Sequence, residues 1–251
     1  MTSARIALWC ATLFALAVVV RSWFFGLPGL WAAFALLVLA MVYGLGLRFG
    51  NWGMLGDVLT RAPQRDSGVV LTFELRWREA AGRVDALLDV LSEHRQRATF
   101  LIDLGGQRGE SSCLQRLVLD GHQIGLCVGM GRFAWGFGSG RLLAEQLGRE
   151  REQLQQLSGA PVGVARLAAR WVGSAAYRAA DGCGLLVLGY ATQVRCSRRS
   201  WPQLRGGRVI ALRSHGGWQD DEDIAKLRAL CRDLHRRRIP TRFVSDWLGG
   251  G

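Results

Sequence analysis

From residue 68 to residue 248 the chain alternates two kinds of apolar pattern. Short apolar, β-branched runs recur at 68–74, 97–103, 122–128, 162–166, 184–190, 208–213 and 240–244. Runs of this kind, bounded by glycine, proline and polar residues, read as strands. Between them the apolar positions fall at helical spacing. In 79–94 (EAAGRVDALLDVLSEH), Val84, Leu87, Leu88 and Leu91 line one stripe, and 140–157 and 220–237 carry similar stripes with charged backs. Strand, helix, strand at this spacing predicts βαβ units and a parallel sheet. About seven such units suit either an open doubly wound sheet or an incomplete barrel, and periodicity alone does not choose between them.

The first 47 residues follow neither pattern. Residues 6–20 (IALWCATLFALAVVV) are apolar between Arg5 and Arg21, and residues 23–47 form a second, longer run without a charge. Both read as transmembrane helices, joined as a hairpin with Arg21 at its short loop. A cleaved signal peptide is the competing reading of the first run, since Ala15-Leu16-Ala17 has the small-x-small form. Arg5, Arg48, Arg61 and Arg65 outnumber Arg21, so the positive-inside rule places the rest of the chain on the cytoplasmic side of a bacterial-type inner membrane. Residues 48–67 read as a juxtamembrane linker, with Trp52 and Met54 as interface anchors.

Charge and cysteine usage narrow the classes. The net charge is +12, and Lys226 is the only lysine among 32 basic residues. The six cysteines show no CxxC pair and no regular spacing, which argues against a zinc ribbon or a disulfide framework. The basic runs 195–200 (RCSRRS) and 235–238 (HRRR) read first as solvated faces and second as attractors of anionic headgroups. No nucleic-acid-binding motif accompanies them.

The stretch 68–77, GVVLTFELRW, puts Glu74 just past a strand's apolar body, where α/β folds place their chemistry. The glycine- and aromatic-rich stretch 129–140 (GMGRFAWGFGSG) reads as a loop. Its functional reading is a lip at the mouth of the site, with Phe133 and Trp135, together with Trp77, stacking on sugar or a partner.

Residues 69–103 carry the order LTFE, LLDVLSEH, ATF. With GHQIG at 121–125, GRVIAL at 207–212 and RIPTRFVSDWL at 238–248, this resembles the polysaccharide deacetylase (NodB-homology) family. The resemblance spans 68–248. It implies a distorted, incomplete (β/α) barrel of about seven parallel strands, here preceded by the two transmembrane helices. It also implies metal-dependent removal of acetyl groups from N-acetylated sugars, with a divalent metal such as zinc.

Carried over residue by residue, the family's general base falls on Glu74 and its metal-binding aspartate on Leu75. Its two metal histidines fall on Cys127 and Gly131, the base-orienting arginine on Arg166, and the general-acid histidine on Arg213. A hydrolytic metal needs about three protein ligands. Leu75 and Gly131 can supply none, and an arginine does not give up its proton near neutral pH. The resemblance thus implies no retained metal or cofactor, and Glu74, Arg166 and Arg213 are expected to form a closed ionic cluster. His215, two residues past Arg213, is a further candidate acid.

The expected function is that of a membrane-anchored, catalytically degenerate family member that binds glycan, lipid-linked sugar or a protein partner. An active hydrolase working through Glu74 and His215 is the alternative, and a structural partner using the arginine-rich surface is a third.

Overall fold

The computed structural model describes residues 3–25, 29–48, 55–62, 66–77, 84–105, 112–129, 134–135, 139–169, 171–195, 206–213 and 221–248. Strands β1 (Val69–Arg76), β2 (Thr99–Asp103), β3 (Gln123–Val128), β5 (Val164–Leu167), β7 (Leu186–Val187), β8 (Thr192–Arg195) and β9 (Arg208–Arg213) form one sheet in the order β7-β5-β3-β2-β1-β9-β8. Every neighbouring pair in it is parallel. A two-stranded ribbon pairs β4 (Ala134–Trp135) with β6 (Trp171–Val172).

Parallel strands are covered on both faces, which explains why β1 buries five residues in succession. On the outer face Val69, Leu71, Phe73 and Leu75 join the main core with residues of the covering helices. Among these are α3 (Asp85–Glu93), α4 (Ser112–Leu119), α5 (Gly140–Ser158), α6 (Ser174–Gly182) and α7 (Asp221–Arg236). On the other face Val70, Leu101, Cys127, Val164, Leu188 and Val209 form a smaller cluster. Val244 and Trp247 of the short helix α8 (Val244–Leu248) pack into it. Gly125 lies on this crowded inner face. A Cβ there would stand 2.6 Å from Val164 Cγ2 and 2.8 Å from Leu101 Cδ2, so only glycine fits without a shift.

The sheet curls into a half-barrel, and four hydrogen bonds show how far. Leu59 N–H donates to Val187 O (2.9 Å) and Gly189 N–H to Leu59 O (2.9 Å), beside β7. Val209 N–H donates to Thr60 O (3.0 Å) and Ala62 N–H to Gly207 O (3.0 Å), beside β9. In a flat sheet, β7 and β9 would lie five strand spacings apart, about 24 Å. Adjacent residues reach both, so the two sides of the sheet have bent toward each other.

Six of the seven expected strands are present. The run 240–244 is not a strand: Thr241 makes a single bridge to Val69. Pro240 brings no N–H, and the Asp246 carboxylate accepts the Phe243 N–H at 2.9 Å, which caps α8 and starts it at Val244. The seventh strand is instead β8. The expected single run 184–190 contains only the short β7, after which the chain crosses past Gly189 to the opposite edge of the sheet.

The expected transmembrane hairpin is corrected. Residues 3–48 do build two helices, α1 (Ser3–Phe25) and α2 (Gly29–Arg48), which pack together through the buried Ala15 and Ala35. Among the described residues, however, no helix is long and apolar enough to cross a membrane. Arg21 lies inside α1 and not in a loop. The uncharged run before it covers about 22 Å and that of α2 about 28 Å, against a hydrocarbon core of about 30 Å. The multi-pass membrane assignment and the cytoplasmic placement derived from it fall with the spans.

Candidate functional site

β1, β2, β3, β5, β8 and β9 bring their carboxyl ends to one rim of the half-barrel. Glu74 on β1 and Arg166 on β5 meet there. Arg166 Nη1 lies 3.1 Å from Glu74 Oε1, and both side chains are only 5% exposed. Arg166 Nη2 donates to Gly189 O at 2.7 Å. The guanidinium also stands 5.2 Å from the centre of the Tyr190 ring, within cation–π range. A carboxylate, a carbonyl and an aromatic face therefore hold this cation in the interior. The ion pair offsets part of the desolvation of this cation, although its 3.1 Å contact is not aligned as a hydrogen bond.

The register places the other residues. Phe73 pairs with Leu212, so the following residue on each strand, Glu74 and Arg213, stand level. Arg195 is in register with Arg213, Arg76 with Asp103, and Cys127 with Arg166. In-register neighbours share a face of the sheet. Cys127 is fully buried beside Arg166. Arg213 ends β9 at the expected level, but its side chain is outside the described residues, as are His215, Phe133 and Gly131. Trp135 has its backbone in β4, paired with Val172. Trp77 is 5% exposed and belongs to the main core, away from the rim's surface.

Leu75 is the informative neighbour of Glu74. Side chains alternate along a strand, and Leu75 is 6% exposed within the helix-side core. The position that the resemblance makes a metal ligand thus points away from the rim and carries no donor. The carboxylate that remains, Glu74, already has a guanidinium against it. Among the described residues, no three His, Cys, Asp or Glu side chains gather as a metal ion requires. The described residues therefore do not fit a divalent hydrolytic metal.

Sequence reasoning missed Tyr190, the Gly189 carbonyl, Asp103 and Arg195. A signal was present for two of them. Tyr190 closes the apolar run GLLVLGY, and Asp103 closes ATFLID, as Glu74 closes its own run. Arg195 was absorbed into a basic run and reads as a strand end only once β8 is seen.

No protein-family model and no curated protein matches the sequence. Solved structures do match it. A family 4 carbohydrate esterase from Bacillus anthracis aligns with TM-score 0.62 and 18% identity, over 82% of this chain and 92% of its own. The wild-type form of a pseudoenzyme of that family, also from Bacillus anthracis, aligns with TM-score 0.62 and 13% identity, over 76% and 69%. Bacillus subtilis PdaA, a family 4 carbohydrate esterase, aligns with TM-score 0.57 and 15% identity, over 81% and 88%. At these identities the likeness is one of fold: the chain has the half-barrel of the family 4 carbohydrate esterases and polysaccharide deacetylases, some of whose structural members are pseudoenzymes.

Proposed function

We propose that this chain is a non-hydrolytic member of the polysaccharide deacetylase group that binds glycan at the rim of its half-barrel. The fold supports the carbohydrate class. The observation that carries the loss of hydrolysis is Leu75, which stands where the resemblance puts a metal-binding aspartate and is buried in the helix-side core. Leu75, turned into the core, removes a ligand from the metal that would polarise an amide carbonyl.

The test is a pair of measurements on the full chain. Chitotetraose is offered with zinc, cobalt or nickel in the buffer, and released acetate is measured beside binding of the same oligomer. Binding without acetate release is expected. Acetate release that disappears in Glu74→Ala would overturn the reading in favour of an active hydrolase.

A further inference from the structure

We propose that two copies of this chain associate through α1, whose outer side carries an apolar stripe built to pair with itself. Ile6, Trp9, Leu13, Leu16, Val20 and Trp23 follow one another at spacings of three, four, three, four and three residues. Alternating threes and fours keep side chains on one side of a helix and are the spacing of a helix–helix seam. All six lie within α1, and each is between 46% and 86% exposed. The neighbouring α2 does not cover them: Ala15, buried where the two helices pack, lies about 130° round the helix from the centre of the stripe. The stripe presents on the order of 700 Å² of apolar surface, close to the about 800 Å² that each partner gives to a standard specific interface. Apolar patches of that size mark interaction surfaces. No described helix is long and apolar enough to cross a membrane, so a spanning position does not account for the stripe.

The order of the residues identifies the occupant. The spacing reads the same from either end, so a second α1 laid antiparallel across a two-fold axis meets the first at the same positions. Ile6 of each copy then stands opposite Trp23 of the other, Trp9 opposite Val20, and Leu13 opposite Leu16 at the axis. Each indole meets a β-branched aliphatic side chain, and large against small is how facing layers interdigitate at interior density. A parallel pair would instead set Trp9 on Trp9 and Trp23 on Trp23, and would bring the two Arg21 residues level. In the antiparallel pair the Arg21 positions lie about 20 Å apart along the axis, beyond the screening length of physiological salt. A two-fold contact uses one patch on both copies, and this stripe is such a patch.

The experiment is sedimentation velocity of the full chain over a range of micromolar concentrations, where a dimer is expected. Leu13→Glu and Leu16→Glu should each weaken it at least about a hundredfold, because every dimer would then bury two carboxylates without partners. Leu119→Glu, at an exposed leucine outside α1, should leave it unchanged. Orientation is read by oxidative cross-linking in a Cys10→Ser background, since Cys10 is itself exposed on α1. Trp9→Cys and Val20→Cys chains, mixed, should give a disulfide-linked heterodimer, located by peptide mapping. Neither should link to itself, because its two thiols would lie about 16 Å apart along the axis. This second measurement stands whether or not the glutamate variants fold. A monomer at every concentration overturns the inference, as does a dimer that neither glutamate variant weakens. Self-linking of Trp9→Cys alone overturns the antiparallel pairing. A monomer that floats with phosphatidylcholine vesicles overturns the inference in favour of a lipid surface as the occupant.

Discussion

Arg166 reaches Glu74 across the inside of the half-barrel. Two strands, β2 and β3, lie between their own strands, yet the guanidinium and carboxylate approach to 3.1 Å. In a flat sheet their strands would be about 14 Å apart. The contact therefore depends on the curl of the sheet and in turn fixes it. Removing one partner of a buried pair strands the other charge. Glu74→Ala should cost about 3–5 kcal/mol in urea unfolding. A double variant, Glu74→Gln with Arg166→Met, should recover a large part of that loss, since neither charge is then buried alone. A single-variant cost below about 1 kcal/mol would show that the pair is screened as a surface bridge is.

His122 gives the protein an acid-sensitive point away from the rim. Its ring packs edge-on against Phe100 with centroids 5.2 Å apart. Burial holds its pKa below the ordinary 6.5, and the Asp120 carboxylate pulls in the opposite direction without prevailing. On acidification the unfolded chain takes up this proton first. The stability that the neutral ring contributes is thus complete above pH 6.5 and is lost as the pH falls through the lower folded value. Melting temperature should fall between pH 7.5 and pH 5.5, at about those values, by more in the wild type than in His122→Gln. Parallel curves for the two proteins would exclude His122 as the cause.

Gly56 marks the closest approach of the segment before the barrel to α6. A Cβ at this position would stand 2.0 Å from Tyr177 Cγ, in a ring that is itself buried. Gly56→Ala should therefore lower stability by about 1–3 kcal/mol through overpacking. Gly182→Ala, where a Cβ meets nothing within 4 Å, should not destabilise the protein. Thermal unfolding of the two variants side by side makes the comparison.

The cysteines should divide by location when titrated with a thiol reagent. Cys231 is fully buried on α7, and burial first, then the Glu93 carboxylate, push its pKa up to about 12. Cys127 is buried as well, while Cys10 is exposed. Cys127 and Cys231 should react only after denaturation in guanidinium, and Cys10 should react in the folded state. Rapid labelling of Cys231 in native protein, located by peptide mapping, would contradict the burial described.

Much of the architecture was legible because its cause is local. Alternating apolar runs and helical stripes report which face of each element is covered, and that is how β1, β2, β3, β5, β9 and α3 were found in place. The exchange of the 240–244 run for β8 was not legible, because it depends on an Asp246 cap and on which edge the chain reaches after Gly189. The hairpin was misread for a related reason. Hydropathy reports what a run avoids, not where a helix ends, and α1 continues through Arg21 to Phe25. At the rim, Glu74 and Arg166 were legible as neighbours through a family resemblance, whereas Tyr190 and the Gly189 carbonyl became partners only through the sheet's curvature.

The direction in which Leu75 points has a consequence for the history of such a site. An aspartate introduced there would be delivered among Phe73, Trp77 and the helix-side leucines, where a carboxylate resists ionising and disturbs packing. A Leu75→Asp change would injure the fold before it helped any chemistry. A metal centre using residue 75 would first require β1 to end two residues sooner, so that the chain turned before residue 75. If the rim serves recognition as proposed, further drift there would meet no opposition from a hydrolytic reaction, and the burial of residue 75 would act as a ratchet.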